Sequence, residues 1–174
     1  MRHLMLLRHA KSDWSSPGAN DHDRTLAERG RKAAPRIGAY LADHAPAPDC
    51  VLVSTARRTR ETWGLVAEAF TRPPQASFDE RLYGADPQTI LAVIRETAPA
   101  CRTLLVIAHN PGLHEVAGLL AQDGCEEALG RLAAKFPTAA LACIDLPIED
   151  WADLRPGIGR LAAFVTPRLL ADAV

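Results

Sequence analysis

The sequence has little that would tie it to a membrane or to nucleic acid. No apolar segment approaches the twenty or so residues needed to cross a bilayer. The formal net charge is −1 over 174 residues, so there is no global pull towards polyanions or anionic lipid. Neither a nucleic-acid nor a membrane partner is expected, and any anion site has to be built locally. The first apolar run is interrupted by Arg8 and His9 with no small-residue cleavage site after it, so a signal peptide is not expected. Cysteine is sparse and scattered, at Cys50, Cys101, Cys125 and Cys143. No pair has the spacing of zinc ligands or of a redox motif. Cys50 and Cys143 lie in apolar runs and read as small core residues. This usage fits a reducing compartment, and a cytoplasmic location is expected. Also missing are a Walker-type glycine loop, a dinucleotide-binding fingerprint, a serine nucleophile elbow, internal repeats and low-complexity tracts.

What remains is the composition of an ordinary globular chain, 48% apolar and 24% charged. Its length suits one domain over residues 1–174. The chain opens on Leu4-Met5-Leu6-Leu7, an apolar run that reads as a buried strand and delivers Arg8 and His9 at its carboxyl end. In open α/β sheets that edge is where ligands bind. A polar loop from Ser12 to Arg24 follows, long enough to cover part of a site. His22 and Arg24 are its weaker candidates for site-facing groups. Thr25-Leu26-Ala27-Glu28 has the pattern of a capping box. It opens a helix whose inner stripe is Leu26, Gly30, Ala33, Ala34, Ile37 and Leu41, ended by Pro46 and Pro48.

Cys50 to Val53 reads as a second buried strand. The helix starting in Ser54 to Thr62 has Thr62, Val66 and Phe70 on its inner side. Arg58 lies one turn earlier on that line and points back over the sheet edge, whereas Arg57 aligns with Glu61 and Glu68 on an outward face. Arg57 and Arg60 are read as surface residues. Ser77 to Asp79 is a short extended piece leading to Glu80. Asp86-Pro87 supplies an N-cap and a first-turn proline for a helix burying Ile90, Leu91 and Ile94. Thr103 to Ala108 is the most apolar strand and ends in His109. Asn110-Pro111 repeats the cap-and-proline device before a helix carrying Leu113, Val116, Ala117 and Leu120. Residues 123–138 read as irregular with a short helix near Glu127 to Ala134, Ala139 to Leu146 as a strand, and Gly159 to Thr166 as an antiparallel edge strand. Alternating strands and helices imply a three-layer αβα domain with a mainly parallel sheet.

Three strand ends thus deliver Arg8-His9, Arg58 and His109 to one sheet edge. Two guanidiniums and two imidazoles make a pocket for a compact dianion, since arginine's planar fork suits phosphate oxygens. Phosphoryl transfer places charge on three equatorial oxygens. Positive groups stabilise it, and a neutral imidazole can attack phosphorus. No carboxylate cluster of the magnesium type accompanies these strands, so the arginines would take a metal's place, with neither metal nor cofactor expected. A leaving-group acid is then useful; Glu80 is the candidate and Asp79 the fallback. His109 and His114 superficially suggest a metal pair, but the proline and the strand-to-helix break send the rings in different directions.

These residues resemble the histidine phosphatase superfamily, which includes the cofactor-dependent phosphoglycerate mutases. Leu7-Arg8-His9 after a strand looks like its Arg-His signature. Ser54 to Thr62 is similar to its second arginine segment, with Arg58 at the matching position. Glu80-Arg81-Leu82-Tyr83-Gly84 looks like the segment carrying its acid, and Ala108-His109-Asn110 like that of its second histidine. The agreement runs from residue 3 to about 146. The short chain and the opening Leu6 to Ser12 resemble the small SixA-like phosphohistidine phosphatases more than the mutases; alanine rather than glycine follows His9, which bears on subgroup. The resemblance implies a phosphoglycerate mutase-like fold, transient phosphorylation of His9, and a phosphoryl group held by Arg8, Arg58 and His109 without a metal.

Short connections leave little sequence for a lid, and an open pocket admits a phosphorylated side chain projecting from a protein. The leading expectation is a phosphohistidine phosphatase acting on a signalling or phosphotransfer protein. The alternatives are a phosphomonoesterase or mutase for small phosphomonoesters, and a non-catalytic phosphate-binding module.

Overall fold

Thr103–Ala108 (β4) is buried at every position and lies in the interior of a seven-stranded sheet. In the computed structural model, which describes residues 1–172, β4 pairs in parallel with Arg2–Arg8 (β1) on one side and Cys50–Ser54 (β2) on the other. Ala76–Asp79 (β3) adds in parallel to β2. Beyond β1 lies Leu141–Leu146 (β6), antiparallel to it, and then Gly159–Val165 (β7), antiparallel to β6. Ala121–Gly124 (β5) closes that side in parallel with β7. The order is β3-β2-β4-β1-β6-β7-β5.

Strand residues alternate between two helical layers, as the period of two in a pleated strand requires. Leu4, Leu6, Leu104 and Val106 pack beneath Pro87–Arg95 (α3), Gly112–Leu120 (α4) and Glu126–Ala134 (α5), joined by Phe136 and Trp151. Met5, Leu7, Leu105 and Ile107 pack against Glu28–His44 (α1) and Arg57–Ala67 (α2) on the opposite face, with Leu170 of Pro167–Asp172 (α6) at its margin. Each such aliphatic side chain removed from water contributes about 1.5–3 kcal/mol. The result is the expected three-layer, mainly parallel α/β domain. No helix among the described residues is long and apolar enough to cross a membrane.

Four local expectations are corrected. The strand running against the rest is β6, inside the sheet. Gly159–Val165 is antiparallel to β6 but lies one place in from the edge, which β5 occupies. β5 escapes sequence reading because Ala121-Gln122-Asp123-Gly124 is short, polar and half exposed, like a loop. The Thr25 capping box does not form. The helix is preceded by Ala27 with no side-chain cap, and the Thr25 hydroxyl donates instead to the Glu61 carboxylate at 2.6 Å, while the Leu26 N–H donates to the same carboxylate at 3.0 Å. Asn110 is not a cap either: α4 starts at Gly112, and the Asn110 amide donates to the Phe136 carbonyl at 2.8 Å. Phe70 lies past the end of α2, partly buried.

Two glycines bring the site elements close. A Cβ on Gly30 would lie 2.2 Å from the Lys11 carbonyl oxygen, so only glycine lets α1 rest on the turn after β1. A Cβ on Gly112 would lie 2.2 Å from the Ala85 carbonyl oxygen, where α4 meets the segment carrying Tyr83.

Candidate active site

β1 ends where its neighbours can hold the backbone of Arg8 and His9 in place. The His9 N–H donates to Ala108 of β4 at 3.2 Å, and the Ala139 N–H donates to the carbonyls of both Arg8 and His9. Past the strand, the Ala10 N–H donates to Thr62 Oγ1 at 3.0 Å, and that hydroxyl donates to the Arg58 carbonyl at 2.7 Å. The turn after β1 is thereby tied to the first turns of α2, and Arg58 is held in register with His9.

The His9 ring is buried, and its Nδ1 sits 2.7 Å from the Ala10 carbonyl oxygen. A carbonyl can only accept, so Nδ1 carries the proton. The neutral ring then presents the lone pair on Nε2. Burial first, then the charges of Arg58 and Arg8, lower the pKa of His9 to about 4, and the ring is neutral at physiological pH. The centroid of His109 stands 5.3 Å away with the rings at 52°. Its pKa falls to about 3, by burial and then by the neighbouring His9 and Arg58. His109 Nε2 is 2.7 Å from Ser54 Oγ at the end of β2. Its Nδ1 is buried with no protein partner among the described residues, as is Arg8 Nε.

Arg58 is nearly buried. It donates from Nη1 to the Asp21 carbonyl at 2.8 Å and from Nη2 to Asp21 Oδ2 at 3.2 Å. The Tyr83 hydroxyl donates to the same carboxylate oxygen. That hydroxyl first, and Arg58 after it, hold Asp21 below the usual carboxylate range. Arg8 donates from Nη1 to the Phe136 carbonyl at 3.2 Å; burial and then Arg58 lower its pKa. The cluster is a neutral nucleophilic imidazole beside two guanidiniums and a second imidazole, with buried nitrogens left without protein acceptors. This arrangement is suited to taking a phosphoryl group onto nitrogen.

The structure brings Arg8, His9, Arg58 and His109 together. It does not bring Glu80 to them: Glu80 is exposed, and its carboxylate makes no hydrogen bond or ion pair with the cluster among the described residues. Asp79 is bound to Arg81, which also holds Glu96. Arg57 pairs outward with Glu61 at 2.9 Å. His22 reaches Thr55 Oγ1 at 3.0 Å and meets the Tyr83 ring edge-on. Arg24 lies over the exposed Trp14 ring at 3.9 Å. His114 Nε2 turns to the Leu132 carbonyl at 2.6 Å, away from His109. No group of three or more His, Cys, Asp or Glu is placed to hold a metal ion among the described residues.

Sequence reasoning missed Asp21, Tyr83 and Ser54. Asp21 lies in the loop suspected of covering the site, but a polar loop gives no sign of which side chain turns inward. Tyr83 sits in the segment singled out for Glu80, and its ring meets His109 at 5.6 Å. Ser54 could have been found from its place at the end of β2, level with His109 at the end of the adjacent β4.

Comparisons with known proteins agree over most of the chain. Residues 4–116 match the family model of the histidine phosphatase superfamily, branch 1. An uncharacterised Mycobacterium tuberculosis protein, Rv1276c, is 40% identical over 164 residues, covering 93% of this chain and 100% of the relative. Two solved structures provisionally described as the phosphohistidine phosphatase SixA are each 30% identical to it. The one from Nakamurella multipartitia has a TM-score of 0.83 and covers 95% of this chain and 96% of its own. The one from Agrobacterium tumefaciens has a TM-score of 0.80 and covers 95% and 98%.

Proposed function

The chain belongs to the histidine phosphatase superfamily, and from that premise we propose that it is a metal-independent phosphatase that carries the phosphoryl group on His9 and removes it from phosphohistidine on a signalling or phosphotransfer protein. The observation that carries the reading is the bond from His9 Nδ1–H to the Ala10 carbonyl at 2.7 Å, which leaves Nε2 as the only free nucleophilic nitrogen of that ring.

In the proposed cycle, Nε2 of His9 attacks phosphorus while the bond from phosphorus to the substrate imidazole breaks. The leaving imidazole takes up a proton from solvent water. The Arg8 and Arg58 guanidiniums and the Nδ1–H of His109 receive the charge on the equatorial oxygens. Water then attacks phospho-His9, inorganic phosphate leaves, and the His9 ring is regenerated with its proton on Nδ1. Phosphoimidazole is a good leaving group, which asks little of an acid. This accords with an exposed Glu80 outside the cluster. The Agrobacterium and Nakamurella relatives, described in the same substrate class, support the reading.

The test is a comparison of specificity constants, in chelator, for a phosphohistidine peptide, sugar phosphates and nucleotides. The expected result is the highest kcat/KM on the phosphohistidine peptide with no loss in chelator. A higher constant on any small phosphomonoester would transfer the assignment to that class.

A further inference from the structure

Two connected hollows of the fold lie away from the histidine pair. One of about 580 Å³ runs between α1 and α6, and a second of about 290 Å³ continues it to the turn after β1. Together they are lined by six cations, Lys11, Arg29, Lys32, Arg36, Lys135 and Arg168, against one carboxylate, Glu28. Glu28 is taken up by Lys32 at 3.2 Å. The other five cations are exposed and have no ion pair among the described residues. In a chain of net charge −1, this is a strong local segregation of charge.

The face adjoins the phosphoryl site. Lys11 is two residues beyond His9, and Lys135 precedes Phe136, whose carbonyl holds Arg8. The smaller hollow lies at the same sheet edge, beside the start of β6 and the end of β7, where Leu141 pairs with Val165. Along α1, Arg29 to Arg36 alone spans about 10 Å at 1.5 Å per residue. That is too wide for one phosphate and about right for several carboxylates in a row.

The geometry points to this cationic face as the docking surface for an acidic segment of the phosphorylated protein, seated as its phosphohistidine enters the site. The inference rests on the protein-phosphohistidine reading above. A lipid surface is disfavoured, because the apolar lining is only Ala33, Pro137, Pro167 and Ala171, with no large side chain to insert. A nucleic acid is disfavoured because no aromatic ring lines the hollows to stack on bases.

The experiment uses two synthetic peptides of about 15 residues, reaching about 50 Å when extended. Each carries a central phosphohistidine, flanked by glutamates in one and glutamines in the other, with free phosphohistidine as the reference. The wild-type protein is compared with the double variant Arg36→Gln/Arg168→Gln. The wild type should favour the glutamate peptide by about tenfold in kcat/KM at low salt, and the preference should vanish at about 1 M salt, where the screening length falls to about 3 Å. The double variant should lose the preference and keep the wild-type rate on free phosphohistidine. Equal constants for the two peptides, or a preference that survives the double substitution, would overturn the docking face. If neither phosphopeptide turns over while sugar phosphates do, the phosphohistidine reading fails. The face is then judged by binding of the unphosphorylated glutamate peptide, which the wild type should hold more tightly than the double variant; equal binding, or Arg36- and Arg168-dependent binding of phosphatidylglycerol vesicles or single-stranded DNA instead, overturns it.

Discussion

Ser54 Oγ stands 2.7 Å from His109 Nε2, although 55 residues separate them in the chain. They meet because β2 and β4 are neighbouring parallel strands that end together. Ser54 Oγ also takes a long hydrogen bond from the Ala56 N–H, at 3.4 Å. In the proposed cycle the Ser54 hydroxyl donates its hydrogen bond to Nε2, and the neutral His109 ring carries its own proton on Nδ1, the atom buried without a protein partner among the described residues. Ser54 is thus a positioning residue that sets a donor for the phosphoryl group. Ser54→Ala should lower kcat about tenfold with little change in KM and cost about 1 kcal/mol of stability. Ser54→Thr should restore most of the rate. Steady-state kinetics with a thermal melt would check this, and a wild-type kcat in Ser54→Ala would contradict it.

Arg58 uses both terminal nitrogens of its fork, on the Asp21 carbonyl and carboxylate. A lysine ammonium offers a point charge where a planar fork is used. Arg58→Lys should therefore lose roughly 10²-fold in kcat/KM, the scale for removing one donor to a developing anion, while the melting temperature changes little. A loss below about threefold would mean that the guanidinium does not face the phosphoryl group.

Glu80 separates two classes of leaving group. Glu80→Gln should stay within about twofold of wild type on a phosphohistidine peptide. An alkoxide leaving group needs a proton more, so any phosphomonoester activity should fall by 10² or more. Equal losses on both substrates would give Glu80 a structural rather than a proton-donating role.

Acid should act on the two buried imidazoles. Their folded pKa values, about 4 for His9 and about 3 for His109, lie below the value of about 6.5 that the unfolded chain shows. Between about pH 6.5 and pH 4 the unfolded state holds more protons, so unfolding free energy rises with pH across that window. The contribution is complete above about pH 6.5 and is lost on acidification through the folded values. The melting temperature should fall by roughly 5 °C or more from pH 7 to pH 4.5, and His109→Gln should flatten that slope. A melting temperature independent of pH over this range would contradict the burial of neutral rings.

The apolar runs ending in Arg8-His9 and His109, and the helical stripe that turns Arg58 inward, were legible because burial and periodicity are local properties of the chain. The three-layer fold followed from their alternation. Less legible was anything decided by a partner remote in sequence. Thr25 looks like a helix cap until Glu61, 36 residues away, takes its hydroxyl. Asn110 looks like a cap until the Phe136 carbonyl takes its amide. β6 runs antiparallel between β1 and β7, a pairing that its mostly apolar sequence does not announce. Asp21 is one of several acids in a polar loop, and only the folded positions of Arg58 and Tyr83 distinguish it.

Phosphoryl transfer through His9 is tested most directly by rapid chemical quench with a ³²P-labelled phosphohistidine peptide in chelator. The account predicts a labelled protein within the first turnover, stable in base and labile in acid, with the label on His9 and absent from His9→Ala, which should not turn over. A His9→Ala protein that keeps the wild-type rate, or turnover by the wild type with no acid-labile label at any time, would contradict it.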